Sequence, residues 1–181
     1  IRPLDSLVKK YGKGLKKNQL ITIDGKIMAI AFMANAQHLV YRKDILKKLN
    51  IDVPKTYEEM LAAAKKIRDS GLVKNPVGGA YKAGWNLAQE FNNMFIGYGG
   101  SHFKGNSAEP NVNSDSGIKA LKMMKSLSEY MNPDFLTHDS NATNAEFRAG
   151  NVAIMNMWGS RAATLVDADG VSMEVKNGMD I

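Results

Sequence analysis

The sequence predicts an α/β fold, and three observations carry that expectation. Helical patterns with end signals recur at 53–71, 86–100 and 116–131. An apolar run, "NVAIMNMW" at 151–158, has the length and composition of a buried strand. Strands and helices then alternate along the chain, as in a layered α/β domain whose sites gather at the carboxyl ends of strands.

The elements follow in order. "PLDSLVKKYGKGL" has apolar residues at helical spacing and closes in glycines, which predicts a short surface helix and a loop. In "ITIDGKIMAIAF", Asp24 and Gly25 stand between two apolar runs and predict a hairpin of two strands. A further apolar stretch, "AIAFMANAQHLVYRKDIL", is interrupted by Asn35, Gln37 and His38 before "RKDILKKLNI" gives one or two helical turns. At 53–71, Thr56 and Glu59 have capping-box spacing, basic residues lie towards the end, and Gly71 stops the helix.

"NPVGGAYKAGW" predicts a loop ending at Trp85, and the helix that follows is broken at Gly99 and Gly100. A polar loop occupies 101–115, and Asn132 with Pro133 stops the helix of 116–131. "SNATNAEFRAG" predicts a short helix ending at Gly150; after the buried strand, "GSRAATLVDA" predicts another helix and "VSMEV" the start of one more strand.

Composition narrows the function. With 181 residues and 44% hydrophobic content the chain can bury one real core, and no apolar run approaches the ~18 residues of a membrane span. Cysteine is absent, which removes disulfides and thiolate chemistry. The net charge of +6 comes from dispersed pairs such as Lys47–Lys48 and Lys65–Lys66, read as solvated helix faces, so no nucleic-acid partner is expected. The start at Ile1 and the stop within "VKNGMDI" lead to the expectation that the chain is an excerpt from which any targeting segment is absent or removed.

No catalytic or metal constellation is legible. His38, His102 and His138 are scattered, no phosphate-binding glycine motif has the right spacing, and "WGSRA" does not place Ser160 in a nucleophile elbow. The expectation is therefore no catalytic residue, no metal and no cofactor. Three other places combine aromatics or amides with a switch from strand or loop to helix: Asn35 to His38; Trp85 with Gln89, Glu90 and Asn92; and Asn156, Trp158, Gly159 and Arg161. Aromatic faces for ring surface, with amide, carboxylate and guanidinium groups for hydroxyls, suit a polyhydroxylated ligand such as a sugar.

The segment "DGKIMAIAFMANAQHLVYRKDILKKLNIDVPKTYEEMLAAAKKI" closely resembles bacterial ABC-importer solute-binding proteins of the sugar-binding family, the group that includes maltose-binding protein. In that family a strand crosses the interlobe hinge to "YxKDL", and "PKTYEE" starts the next helix; Ala31 stands where the family often has proline. "GYGG" and "EFRAGNVAIMNMWGSRA" resemble the later helix, strand and ligand-facing turn. The resemblance implies one lobe of a two-lobe, type II periplasmic-binding-protein clamshell with hinge strands. Residues 1–30 are expected to be the tail of the first lobe, 31–170 the second lobe, and 171–181 the return towards the hinge.

It also implies the ligand-binding set Asn35, Gln37, His38, Trp85, Gln89, Glu90, Asn92, Trp158, Gly159 and Arg161. The implied function is capture of a mono- or oligosaccharide and its delivery to ABC permease transmembrane subunits, by a non-enzymatic monomer. Its implied place is the periplasm, or the exterior of a Gram-positive cell with a membrane anchor. The rival expectations are a carbohydrate-active α/β enzyme and a solute-binding protein for a polyol or a glycerol phosphodiester.

Overall fold

The computed structural model describes residues 1–167 and 169–181, and its backbone divides into two compact units, 1–36 and 37–181. In the first unit, helix α1 (Asp5–Tyr11) precedes the antiparallel strands β1 (Leu20–Ile23) and β2 (Lys26–Ile30). The hairpin expected at Asp24–Gly25 is present: both residues have positive φ, 49° and 73°, as a type I′ turn requires. The Leu4 N–H donates to the Ile27 carbonyl at 2.7 Å, fastening the start of α1 to the hairpin. Residues 31–36, with Asn35, carry no regular structure.

The second unit is built on a four-stranded sheet. Its chain runs through β3 (Gln37–Arg42), α2 (Lys43–Lys48), α3 (Tyr57–Asp69), β4 (Val77–Gly78), α4 (Trp85–Gly97), α5 (Asp115–Ser128) and α6 (Ser140–Arg148). It continues through β5 (Ile154–Trp158), α7 (Gly159–Ala162), α8 (Thr164–Asp167), α9 (Met173–Gly178) and β6 (Met179–Asp180). β5 lies parallel to β4 and antiparallel to β3, and β3 is antiparallel to β6.

Alternation along β3 sends Leu39 and Tyr41 to one face and Val40 to the other. The first face packs Ile67 of α3, Met94 and Phe95 of α4 and Met124 of α5. The second packs Phe147, Met155, Met157, Leu165 and Val175 around Val40. Apolar residues therefore cover both sides of a thin sheet, the three-layer α/β arrangement that the alternation of elements predicts.

The cap of α3 differs in detail from the expected box. Thr56 Oγ1 accepts from the Glu59 N–H at 3.1 Å, but the Glu59 carboxylate accepts from the Lys55 N–H at 2.6 Å, one residue before the cap. Thr56→Ala is expected to lower unfolding free energy by about 1 kcal/mol. A urea midpoint that does not move, at constant slope, would show that the cap contributes nothing.

Three expectations need correction. The strand expected from "VSMEV" is helix α9, because Ser172 Oγ accepts from the Val175 N–H and because Val171 and Val175, four residues apart, are the pair that reaches the core. The helix expected over 159–168 is divided into α7 and α8 by a turn at Ala163, and its last residue, Ala168, lies outside the described residues. The loop expected over 75–85 contains the short strand β4 and ends one residue early, at Gly84, whose φ of 107° turns the chain into α4.

Candidate functional site

The candidate site lies where β3 begins and β5 ends. Register pairs Gln37 with Trp158, His38 with Met157 and Leu39 with Asn156. Beside this edge opens a pocket of about 220 Å³ lined by side chains that include Gln37, His38, Lys55, Tyr57, Asn93 and Asn156. It is bordered by the start of α3 and, through Asn93, by the body of α4, so strand amides, a helix-start phenol and a helix-face amide converge there.

Trp85, the first residue of α4, stacks on Trp158 with ring centroids 5.4 Å apart and planes inclined by 21°. Trp85 remains 60% exposed and Trp158 is half-buried. Each indole therefore uses one face on the other, and a ligand would meet the composite edge or the outer faces. These are the chain's two tryptophans.

Glu90 is placed differently from the expectation of direct ligand contact. It is 4% exposed, and its Oε1 accepts from the Ala80 N–H at 3.1 Å. Burial pushes its carboxyl up to about 7; the Ala80 N–H and the Asn156 side chain, which favour the ionised form, oppose the shift. Asn156 Nδ2 also donates to the Tyr57 hydroxyl at 3.3 Å. Tyr57 is itself raised to about 12 by burial, then by the Glu90 charge, against the Asn156 hydrogen bond.

The remaining expected residues separate into other settings. Gln89 is half-buried on α4. Asn92 Oδ1 lies 2.9 Å from His102 Nε2, whose ring packs edge-on against Phe95, so Asn92 anchors the loop that follows α4. Gly159 opens α7, and Arg161 donates to Asn141 Oδ1. Asn141 follows the N-cap Asp139 of α6, whose carboxylate is held below its usual range by the Ala142 N–H. Asn35 is exposed at the end of the first unit.

Of the residues expected to bind ligand, Gln37 and His38 line this pocket and Trp158 pairs with Gln37 beside it; Asn156, grouped with Trp158 in the sequence, also lines it, as do Tyr57 and Asn93, which the sequence did not single out. The signal for Asn93 was present: it follows Gln89 by four residues and so shares its helix face. Tyr57 had a weaker signal, a polar-tipped aromatic one residue past a helix cap. No three His, Asp or Glu side chains among the described residues are grouped so as to hold a metal, and none of their helices is long and apolar enough to cross a membrane.

The model of the bacterial extracellular solute-binding protein family matches residues 1–179. The chain belongs to that family. A probable ABC transporter-binding protein of Deinococcus radiodurans is 30% identical over 145 residues, which are 76% of this chain and 34% of that protein. Among solved structures, a solute-binding protein of Agrobacterium radiobacter in complex with ribitol superposes with a TM-score of 0.81 at 26% identity. Maltose-bound MalE3 of T. maritima gives 0.82 at 20% identity, and an Agrobacterium vitis protein with bound D-mannitol 0.74 at 25%.

Each superposition uses 99% of this chain and 45–46% of the other. The chain thus spans about a third of the curated relative and under half of these structures, in keeping with one lobe of a type II fold.

Proposed function

We propose that this chain is the larger part of one jaw of a sugar- or polyol-binding component of an ABC importer. Residues 1–30 are read as the tail of the first lobe, 31–170 as the second lobe and 171–181 as the return to the hinge. The ligand sits in a cleft between lobes and is passed to a membrane permease outside the cytoplasm, without chemical turnover. The observation that carries this reading is the stacked Trp85–Trp158 pair, in which Trp158 is the register partner of Gln37, a residue of the amide-lined pocket. Indole surface matches the apolar face of a sugar ring or polyol chain, and amides both give and accept hydroxyl hydrogen bonds.

Closure around a ligand is stabilised only by contacts that differ between open and closed forms, so this jaw supplies part of the binding energy. The relatives' ligands define the panel: maltose, D-mannitol and ribitol, titrated calorimetrically into the two-lobe protein. Saturable heat with one of them and no turnover is expected. Trp158→Ala should weaken that binding by about 2 kcal/mol through lost apolar contact; unchanged affinity removes Trp158 from the site. Absence of binding across the panel overturns sugar and polyol as the ligand class, and turnover of a chromogenic glycoside would favour an enzyme.

A further inference from the structure

The indole pair and the pocket are two neighbouring surfaces rather than one. Neither tryptophan lines the pocket of about 220 Å³. Trp158 and Asn156 stand two residues apart on β5, so alternation gives them the same sheet face, about 7 Å apart along the strand. Their register partners on β3, Gln37 and Leu39, share that face and line the pocket.

Helix α4 passes both surfaces. Trp85, which stacks on Trp158, opens the helix, and Asn93, which lines the pocket, follows eight residues later with half-buried Gln89 midway. Intervals of four keep these three on neighbouring positions of one helix face, and eight residues rise about 12 Å. Strand and helix thus lead the same way: from Trp158 back to Asn156 on β5, and from Trp85 on to Asn93 on α4. At the pocket end, Asn156 Nδ2 donates to the Tyr57 hydroxyl at 3.3 Å, which joins the strand wall to the start of α3.

Resting on the ligand reading above, we propose that the site selects a saccharide of at least two linked rings, one against the indoles and the next in the pocket, over a single sugar or a short polyol. One pyranose ring, or the extended chain of a five- or six-carbon polyol, falls short of the run from Trp85 to Asn93. It gains the apolar contact of the indoles or the hydrogen bonds of Asn93, Asn156 and Tyr57, but not both. Two linked rings gain both for a single loss of translational and rotational freedom. The two ends differ in chemistry as this arrangement requires. Trp85, 60% exposed, offers indole surface to the apolar face of one ring, and the pocket offers amides and a phenol to the hydroxyls of the next.

The test is calorimetric titration of the two-lobe protein with maltose, cellobiose and laminaribiose, with glucose, the unit common to all three, and with D-mannitol and ribitol. At least one disaccharide is expected to bind about tenfold or more tighter than glucose and than either polyol. Trp85→Ala and Asn93→Ala, both on the surface side of α4, are each expected to weaken that disaccharide about tenfold, whereas any single unit that binds responds to only one of the two. Glucose or a polyol binding as tightly as every disaccharide overturns the proposal and leaves the sugar and polyol reading standing. So does a disaccharide whose affinity ignores either variant. If none of the six binds, the sugar and polyol reading itself fails, and the proposal with it.

Discussion

Arg42→Met is expected to lower the unfolding free energy by about 3 kcal/mol and to loosen the last ten residues from the sheet. Arg42 is 3% exposed at the end of β3, with Nε and Nη2 on the two Asp44 carboxylate oxygens at 2.8 and 2.6 Å and Nη2 on Glu174 at 2.9 Å. The bidentate pair fixes the first turn of α2. The Glu174 contact joins that turn to α9, 132 residues later in the chain.

Gly178 shows how tightly the cluster is built, since a Cβ there would fall 2.4 Å from Asp44 Oδ1 and 2.9 Å from Arg42 Nε. Methionine keeps most of the stem volume but leaves two carboxylates facing each other without the cation. The figure is at the low end for a broken buried pair because Glu174 reaches water.

The pH dependence follows from Asp44. Arg42 holds its carboxyl below the ordinary range, chiefly through the hydrogen bond, so the folded state favours the ionised form. That stabilisation is full above the unfolded value of 3.8 and is lost as pH falls through the lower folded value. The variant should lose most stability at neutral pH and least in strong acid, measured by urea denaturation at pH 7 and pH 3. Equal losses at both would show that Arg42 acts through packing alone.

Glu90→Gln is expected to have the opposite effect, raising stability at pH 8 by about 3 kcal/mol. Burial lifts the folded-state carboxyl from 4.5 to about 7, so the folded protein holds this proton more tightly than the unfolded chain. The group's stabilisation is therefore complete below pH 4.5 and disappears as pH rises through about 7. Glutamine keeps the acceptor for Ala80 and carries no charge to desolvate. Wild type and variant should unfold alike near pH 4, diverge as pH rises from 4.5 to about 7 and stay apart above it, and parallel stability profiles from pH 4 to 8 would show that Glu90 does not titrate in this range.

Both predictions concern residues whose roles sequence reading could not assign. Arg42 was legible only as the start of the helical turns in "RKDILKKLNI", and Glu90 as a polar side chain expected to meet a ligand. Their burial depends on α9 and on the segment before α4, which are distant in sequence or irregular. The elements themselves were more legible. Asp24–Gly25 names its turn through two positive-φ positions, and Thr56 with Glu59 marks a helix start. Met155 and Met157 declare a buried strand because an apolar run of that length has few other places to go.

"VSMEV" was ambiguous because its apolar residues satisfy a period of two as well as a spacing of four. The choice fell to Ser172 as a cap and to the core that receives Val171 and Val175. The site shows the same division. Local pattern picked out Gln37, His38, Trp85 and Trp158, since amides and indoles at element boundaries are unusual residues in unusual places.

By itself, then, the sequence determined the α/β class, the principal helices, the hairpin and the amides and indoles that mark the candidate site, because capping, turn chemistry and hydrophobic period act over a few neighbouring residues. Tertiary structure decided that the two indoles face each other, that Tyr57 and Asn93 join Gln37 at one pocket, and that Glu90 lies behind the pocket wall. Those outcomes depend on β3 and β5 pairing across more than a hundred residues and on which helix face each sheet surface accepts, and such long-range packing choices leave no local mark in the chain.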